Sequence, residues 1–333
     1  MTKILMTSVR DDEQAAITNY AKRQQIEIMT VPQALEEVLE LTKEVDGVVM
    51  QQRHPLPPES YQQLAANGLK QLTTRTAGYD MINLKLAHQV GLKVTNVPAY
   101  SRNSVAEHAL MQIFRILRKA YLVDDRVGRN DYQWAGLQAK EIHSATIGII
   151  GVGRIGGTLA RLLASLGARV LGYDLQPQPA LQDIVTYVEK DELLAQADVV
   201  SLHVNLNPTA VDLLTATDFQ KMKATAGLVN ASRGPVVNTK DLLTALETQQ
   251  IAAAALDTVT GEDFIFNYDH QADGLSSQPL IEALHALPNV ILTPHIAFFT
   301  NIAVQNMVDF ALDDVLAILN NQQPQHEITD TGV

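Results

Sequence analysis

The chain has 333 residues, with 25 basic against 37 acidic side chains and a formal net charge of −12. This acidity argues against nucleic acid or an anionic membrane surface as a partner, and the absence of cysteine excludes disulfides and thiol catalysis. The length allows two domains of ordinary size, each with its own core.

The opening MTKILMTSVR runs straight into a strand pattern, so no secretory leader is expected. No apolar stretch reaches the ~18 residues of a membrane span. A soluble cytoplasmic protein is the expectation. Apolar runs at 3–7, 27–29, 47–50, 72–75 and 93–96 read as strands, with helical patterns between them, for example at 12–24 and 58–67. A long amphipathic pattern covers 104–122, where Val105, Ala106, Ala109, Leu110, Ile113, Leu117 and Tyr121 share one side. Ser104 and Glu107 there have capping-box spacing. Further strands are expected at 146–150, 170–174, 199–204, 227–231, 253–257 and 290–293, and a last helix at 302–319. Alternating strands and helices predict an α/β protein with parallel sheets. The acidic stretch 262–273, with Asp263, Asp269 and Asp273, reads as a solvated loop, Glu262 apart.

Residues 147–174, IGIIGVGRIGGTLARLLASLGARVLGYD, are the most informative segment. An apolar strand meets Gly151, Gly153 and Gly156 in G-x-G-x-x-G spacing, a helix follows, and a second strand delivers Asp174. Gly151 permits a tight turn, Gly153 lets backbone approach a pyrophosphate, and Gly156 lets helix and strand pack closely. The helix N-terminus offers N–H groups to phosphate, and Asp174 can take the two ribose hydroxyls. With all parts in register, a bound dinucleotide outweighs a purely structural turn. Because the fingerprint lies on the sixth strand, the dinucleotide domain is expected at 101–299. The other domain is then built from 1–100 and 300–333, with ligand bound in the cleft between them.

Three later strand ends carry reactive groups. In VNASRGP, Arg233 is held on a Gly-Pro turn, and its fork of donors matches a carboxylate and a neighbouring carbonyl. In LDTVTGE, Asp257 ends a small-residue strand suited to packing beneath a cofactor, and Glu262 follows in a loop. In TPHIAFF, His295 is fixed after a proline, and imidazole suits proton exchange near neutrality. Each has a structural reading on its own, and a lone histidine there is more often structural. Glu262 is the carboxylate expected to partner His295. In the first domain, the Ala77-Gly78 turn within RTAGYD can aim backbone N–H groups at an anion, and Tyr100 stands at the domain crossing.

VGRIGGTLARLLASLGARVLGYD, VNASRGPVV, DTVTGE and TPHIAF together, in this order, resemble the D-specific 2-hydroxyacid dehydrogenase family, nearest its bacterial D-lactate and D-2-hydroxyisocaproate branches. The likeness covers nearly the whole chain. It implies a Rossmann domain inserted in a flavodoxin-like substrate domain, with NAD as cofactor and no metal. It also implies a homodimer formed through the dinucleotide domain, for which the 104–122 helix is a candidate contact. The implied reaction is reversible reduction of a small 2-oxo acid, foremost pyruvate, to the D-2-hydroxy acid. Arg233 would bind the carboxylate and polarise the 2-oxo group, His295 would be the acid/base, and Glu262 its partner. Ala77, Gly78, Tyr100, Gln51 and Phe298 would line the substrate. Gly151, Gly153, Arg154, Ile155, Gly156, Asp174, Val204, Asn205, Ala231, Ser232, Arg233 and Asp257 would contact the cofactor. NAD is expected over NADP because Asp174 repels a 2′-phosphate and no Arg or Lys follows in 175–182.

Three places depart from the family pattern. Asn205 follows Val204 where proline is frequent, Val259-Thr260 replaces an aromatic and an acid, and Gln51 stands where Tyr or Leu shapes the pocket. A D-2-hydroxyisocaproate or broad-range enzyme is the alternative. Formate dehydrogenases of the superfamily are disfavoured because they pair the histidine with glutamine, and phosphoglycerate dehydrogenases because they usually carry a regulatory domain. A non-enzymatic NAD-sensing corepressor on the same fold is the reading from another class.

Overall fold

A computed structural model describes residues 1–51, 54–79, 81–272, 274–275 and 277–329. Asp80 of the RTAGYD turn and Asp273 of the acidic stretch lie outside the described residues. The chain forms two compact units, one of Met1–Ser101 with Phe299–Val333, the other of Arg102–Phe298. The second is therefore an insertion into the first.

The first unit is a parallel five-stranded sheet of β1 (Lys3–Met6), β2 (Glu27–Thr30), β3 (Gly47–Met50), β4 (Gln71–Thr74) and β5 (Lys93–Thr95), in the order β2-β1-β3-β4-β5. Both faces are covered, as the apolar strands require. Ile4, Met6 and Val49 face the helices Gln14–Gln24 and Asn301–Leu319, while Leu5, Val48 and Met50 face Pro58–Ala66 and Leu84–Gln89. The chain runs from β1 to β2 in one direction across the sheet and from β1 to β3 in the other. The C-terminal ends of β1 and β3 therefore flank a topological switch point, where open α/β sheets leave a crevice for ligands.

The second unit is a parallel seven-stranded sheet. Its strands are β6 (Thr146–Ile150), β7 (Arg169–Tyr173), β8 (Thr186–Tyr187), β9 (Val199–Leu202), β10 (Gly227–Asn230), β11 (Ala253–Leu256) and β12 (Val290–Leu292), in the order β12-β11-β10-β9-β6-β7-β8. The doubly wound architecture expected from the alternating pattern is present in both units. The two-residue edge strand β8 carries too little pattern to be read from the sequence. The switch point lies between β6 and β9, where the glycine fingerprint emerges.

Three local expectations are corrected. The pattern at 104–122 is two helices, Arg102–Leu117 and Ala120–Gly128, separated by Lys119 at φ 52°. No glycine or proline marks the break; the Lys119 ammonium donates to the Gly136 carbonyl 2.9 Å away. Because the helix starts at Arg102, Ser104 lies inside the helix, buried, and is not the residue that precedes its first turn. The small residues of β11 serve protein packing: Ala253 and Ala255 join the core under helix Arg102–Leu117, and Ala254 the opposite core.

Candidate active site

The late strands of the second unit converge on a histidine. Beyond β12, His295 takes φ 54°, a left-handed conformation costing about 1–2 kcal/mol for a side chain with a Cβ. The turn is held by Asp257, which is 2 % exposed at the end of β11. Asp257 Oδ1 accepts from the Thr293 hydroxyl (2.6 Å) and Ile296 N–H (3.0 Å), Oδ2 accepts from Ala297 N–H (2.8 Å), and the Asp257 carbonyl accepts from His295 N–H (2.9 Å). Bonds to an ionised group contribute roughly 1.5–3 kcal/mol each, enough to offset the strained backbone. Among the described residues Oδ2 has no second donor, so one of its lone pairs is open.

His295 Nδ1 lies 2.7 Å from Glu262 Oε1, and Glu262 Oε2 accepts from Val259 N–H at 2.6 Å. Gly261, at φ 89°, turns the chain to present Glu262. The expected pair is thus formed, with the carboxylate anchored on its far side. The imidazole keeps 40 % of its surface exposed while Glu262 is mostly buried. Phe298 meets the His295 ring edge-on, centroids 6.3 Å apart.

Arg233 follows β10 in extended conformation, and its Nη1 donates to the Ser232 carbonyl at 2.8 Å. The turn beneath it is pinned by Asn230, which is buried. Its Oδ1 accepts from Ser232 N–H and Oγ–H, and its Nδ2 donates to the Arg233 carbonyl and, at 3.4 Å, to that of Thr258. Asn230 therefore ties the arginine turn to the segment carrying Asp257. Sequence reasoning missed it; a lone asparagine ending an apolar strand was the available signal. Reasoning also missed His108 and Gln112 on helix Arg102–Leu117. His108 Nε2 lies 3.2 Å from Thr293 Oγ1, 3.5 Å from Asp257 Oδ1 and 3.1 Å from the Gln112 amide. Burial pushes the His108 imidazole down from its ordinary range, against the opposing pull of the Asp257 carboxylate.

The fingerprint forms a tight glycine turn at the head of a helix. A Cβ on Gly151 would stand 2.5 Å from the His203 carbonyl oxygen and one on Gly156 2.0 Å from that of Gly151, so the protein's own backbone demands both glycines. A Cβ on Gly153 would meet nothing within 4 Å. Its bareness is useful only to an incoming group. Gly153 is the N-cap of helix Arg154–Ser165, with no side chain capping it, so the N–H groups near Arg154 and Ile155 face outward as a phosphate requires. Asp174 accepts from Val152 N–H (2.7 Å) and Gln176 N–H (2.8 Å), which orients its carboxylate at the end of β7. Val204 lies against the Gly151 turn, and Asn205, Ala231 and Ser232 occupy the ends of β9 and β10, the strands next to β6 on that side of the switch point. These residues fit a dinucleotide.

In the first unit, Gln51 follows β3 and accepts from Arg10 Nη1 at 2.5 Å. The Ala77 and Gly78 carbonyls beyond β4 are tied back by Asn96 Nδ2 (2.7 Å) and Thr76 Oγ1 (2.7 Å). The Tyr100 carbonyl accepts from Asn306 Nδ2 (2.7 Å), and its ring packs at the edge of the core beneath helix Asn301–Leu319. The Arg75–Glu13 pair, both side chains fully buried, locks the turns after β1 and β4 together through bonds of 2.6 and 3.0 Å, with Arg75 also donating to the Thr7 and Ser8 carbonyls.

The sequence model for the D-isomer specific 2-hydroxyacid dehydrogenase NAD binding domain matches residues 110–297, more than half of the chain. The chain belongs to the D-isomer specific 2-hydroxyacid dehydrogenase family. A D-lactate dehydrogenase of Lactobacillus delbrueckii subsp. bulgaricus is 36 % identical over 328 residues, 98 % of each protein. The solved structure of a D-lactate dehydrogenase from Sporolactobacillus sp. is 52 % identical, with a TM-score of 0.87 over 98 % of this chain and 99 % of that one. The structure of a D-2-hydroxyisocaproate dehydrogenase is 31 % identical, with a TM-score of 0.91 over 99 % of this chain and 100 % of that one. Like the family, this D-2-hydroxyacid dehydrogenase takes NAD on its Rossmann sheet. Among the described residues no helix is long and apolar enough to cross a membrane.

Proposed function

We propose that this protein reduces short 2-oxo acids, pyruvate foremost, to the D-2-hydroxy acid, and catalyses the reverse oxidation. The observation that carries the reading is the 2.7 Å His295–Glu262 pair on a turn held by a buried aspartate. That arrangement leaves Nε2 as the working nitrogen. Met1–Ser101 with Phe299–Val333 serves as the substrate domain and Arg102–Phe298 as the NAD-binding domain. Gly151, Gly153, Arg154, Ile155, Gly156, Asp174, Val204, Asn205, Ala231, Ser232, Arg233 and Asp257 would hold NADH, whose chemistry would be to provide a hydride for C2 of the 2-oxo acid.

The chain's own groups do the rest. The Arg233 guanidinium draws the carboxylate into an otherwise acidic protein and polarises the 2-oxo bond. Backbone N–H groups of Ala77-Gly78 hold the carboxylate, and Gln51, Tyr100 and Phe298 border the side chain of the substrate. His295 Nε2–H delivers a proton to the developing alkoxide while Glu262, fixed by Val259 N–H, stabilises the imidazolium that holds it. In oxidation the neutral ring takes that proton back.

Similarity to the D-2-hydroxyisocaproate enzyme supports a range reaching beyond pyruvate. The exposed Met111, Val127, Tyr132 and Trp134 on and after helix Arg102–Leu117 support a homodimer formed through the NAD-binding domain. Dependence on a freely diffusing nicotinamide pool supports a cytoplasmic site of action. The test is NADH oxidation over 2-oxo acids of increasing size with chiral analysis of products, in wild type and His295→Ala. D-hydroxy acids from wild type and turnover at least ~100-fold lower in the variant, with NADH still bound, are expected. Wild type that binds NADH and turns over no 2-oxo acid would favour a corepressor-like sensor.

A further inference from the structure

One side-chain cluster of the first unit has a geometry that the reaction above does not use. Arg10 lies on the turn after β1 and Gln51 at the end of β3, the two strand ends flanking the switch point of the five-stranded sheet. The guanidinium is held on three sides. Nε and Nη2 donate to the two Asp12 oxygens at 2.9 and 3.0 Å, Glu13 Oε1 lies 3.5 Å from Nη2, and the group sits over the Phe299 ring, 5.6 Å from its centroid. Its remaining end, Nη1, donates to Gln51 Oε1 at 2.5 Å. A guanidinium only donates, so this contact fixes which end of the amide is oxygen. The Gln51 Nε2 amino group therefore points the other way, and among the described residues no acceptor takes it.

We infer that Arg10 positions the Gln51 carboxamide so that its amino group meets an oxygen on C3 of the substrate, making the chain selective for short 2-oxo acids with a C3 hydroxyl over those with an alkyl group of the same size. The inference rests on the functional reading above. The charges decide between a hydroxyl and a second carboxylate. Asp12 and Glu13 already offset Arg10, and the chain as a whole is strongly acidic, so among the described residues of this cluster a second anion finds no unpaired cation while a neutral oxygen finds a donor. A site built to donate to a substrate oxygen penalises the analogue that lacks it, because the half-buried donor, covered by the bound analogue, is left unpaired.

Hydroxypyruvate and 2-oxobutyrate differ only in CH2OH against CH2CH3, so the ratio of their kcat/KM values isolates this contact. Each ratio is taken within one protein, which cancels differences in folded fraction. Wild type should favour hydroxypyruvate by about fivefold, the worth of one ordinary hydrogen bond. Gln51→Leu should bring the ratio to one or below, and Arg10→Met, which frees the amide to turn, should lower it at least twofold. A wild-type ratio at or below one, or ratios unchanged in both variants, would overturn the inference. Pyruvate is measured alongside: absence of all three activities would strike the functional reading itself, whereas intact pyruvate reduction with a flat ratio strikes only this proposal.

Discussion

Replacing Glu262 by glutamine changes one atom, and the surroundings dictate what that atom does. In the native protein Oε2 accepts from Val259 N–H and Oε1 faces His295 Nδ1. The Val259 N–H can only donate, so the amide oxygen must remain there and the amide nitrogen turns towards the histidine. The ring must then accept at Nδ1 and carry its proton on Nε2, a neutral tautomer that cannot hold the imidazolium charge needed to protonate an alkoxide. The opposite amide orientation keeps an acceptor on Nδ1 but sets two donors against each other at Val259, at a cost of roughly 1–3 kcal/mol. Either way the acid/base contribution, about 10²–10⁴ in rate, is largely lost. Pyruvate reduction in Glu262→Gln should fall about 10²–10³-fold in kcat, with NADH affinity by fluorescence titration within about threefold of wild type. A kcat within threefold of wild type would refute the role given to the pair.

The cofactor cradle and one half-buried histidine yield two further tests. Gly153→Ala adds a methyl that touches no protein atom at a negative φ, so urea unfolding should change by less than about 1 kcal/mol while NADH binding weakens at least ~10-fold; unchanged NADH affinity would mean that the phosphates lie elsewhere. Burial pushes His203 down to about 4, with Nε2 bonded to Ser201 Oγ and Nδ1 shut away without a partner among the described residues. Between pH ~6.5 and 4 the unfolded chain takes up a proton that the folded ring refuses, so stability falls as pH drops through that window. About 2 kcal/mol should be lost by pH 5, and His203→Gln should lose correspondingly less between pH 7 and 5; equal losses in both proteins would clear His203.

What the amino-acid order determined is what travels in short segments. The strand–glycine–helix–strand–Asp174 unit is legible because its phosphate cradle is built from neighbours in the chain, and alternating apolar runs dictate parallel sheets because both faces must be covered. Arg233, Glu262 and His295 stand out as reactive types beyond strand ends, although the meeting of Glu262 with His295 depends on β11 and β12 lying side by side. Tertiary structure alone decided the supports. Asp257 reaches across to the 293–297 turn, Asn230 to Thr258, His108 from another helix to Thr293, and Arg10 to Gln51. Each is a hydrogen bond between residues distant in sequence, with no periodicity to announce it. The break at Lys119 is of the same kind, since the local pattern continues through it. Local geometry is written in neighbouring residues, whereas the direction in which a buried polar side chain spends its hydrogen bonds depends on which strand packs beside it.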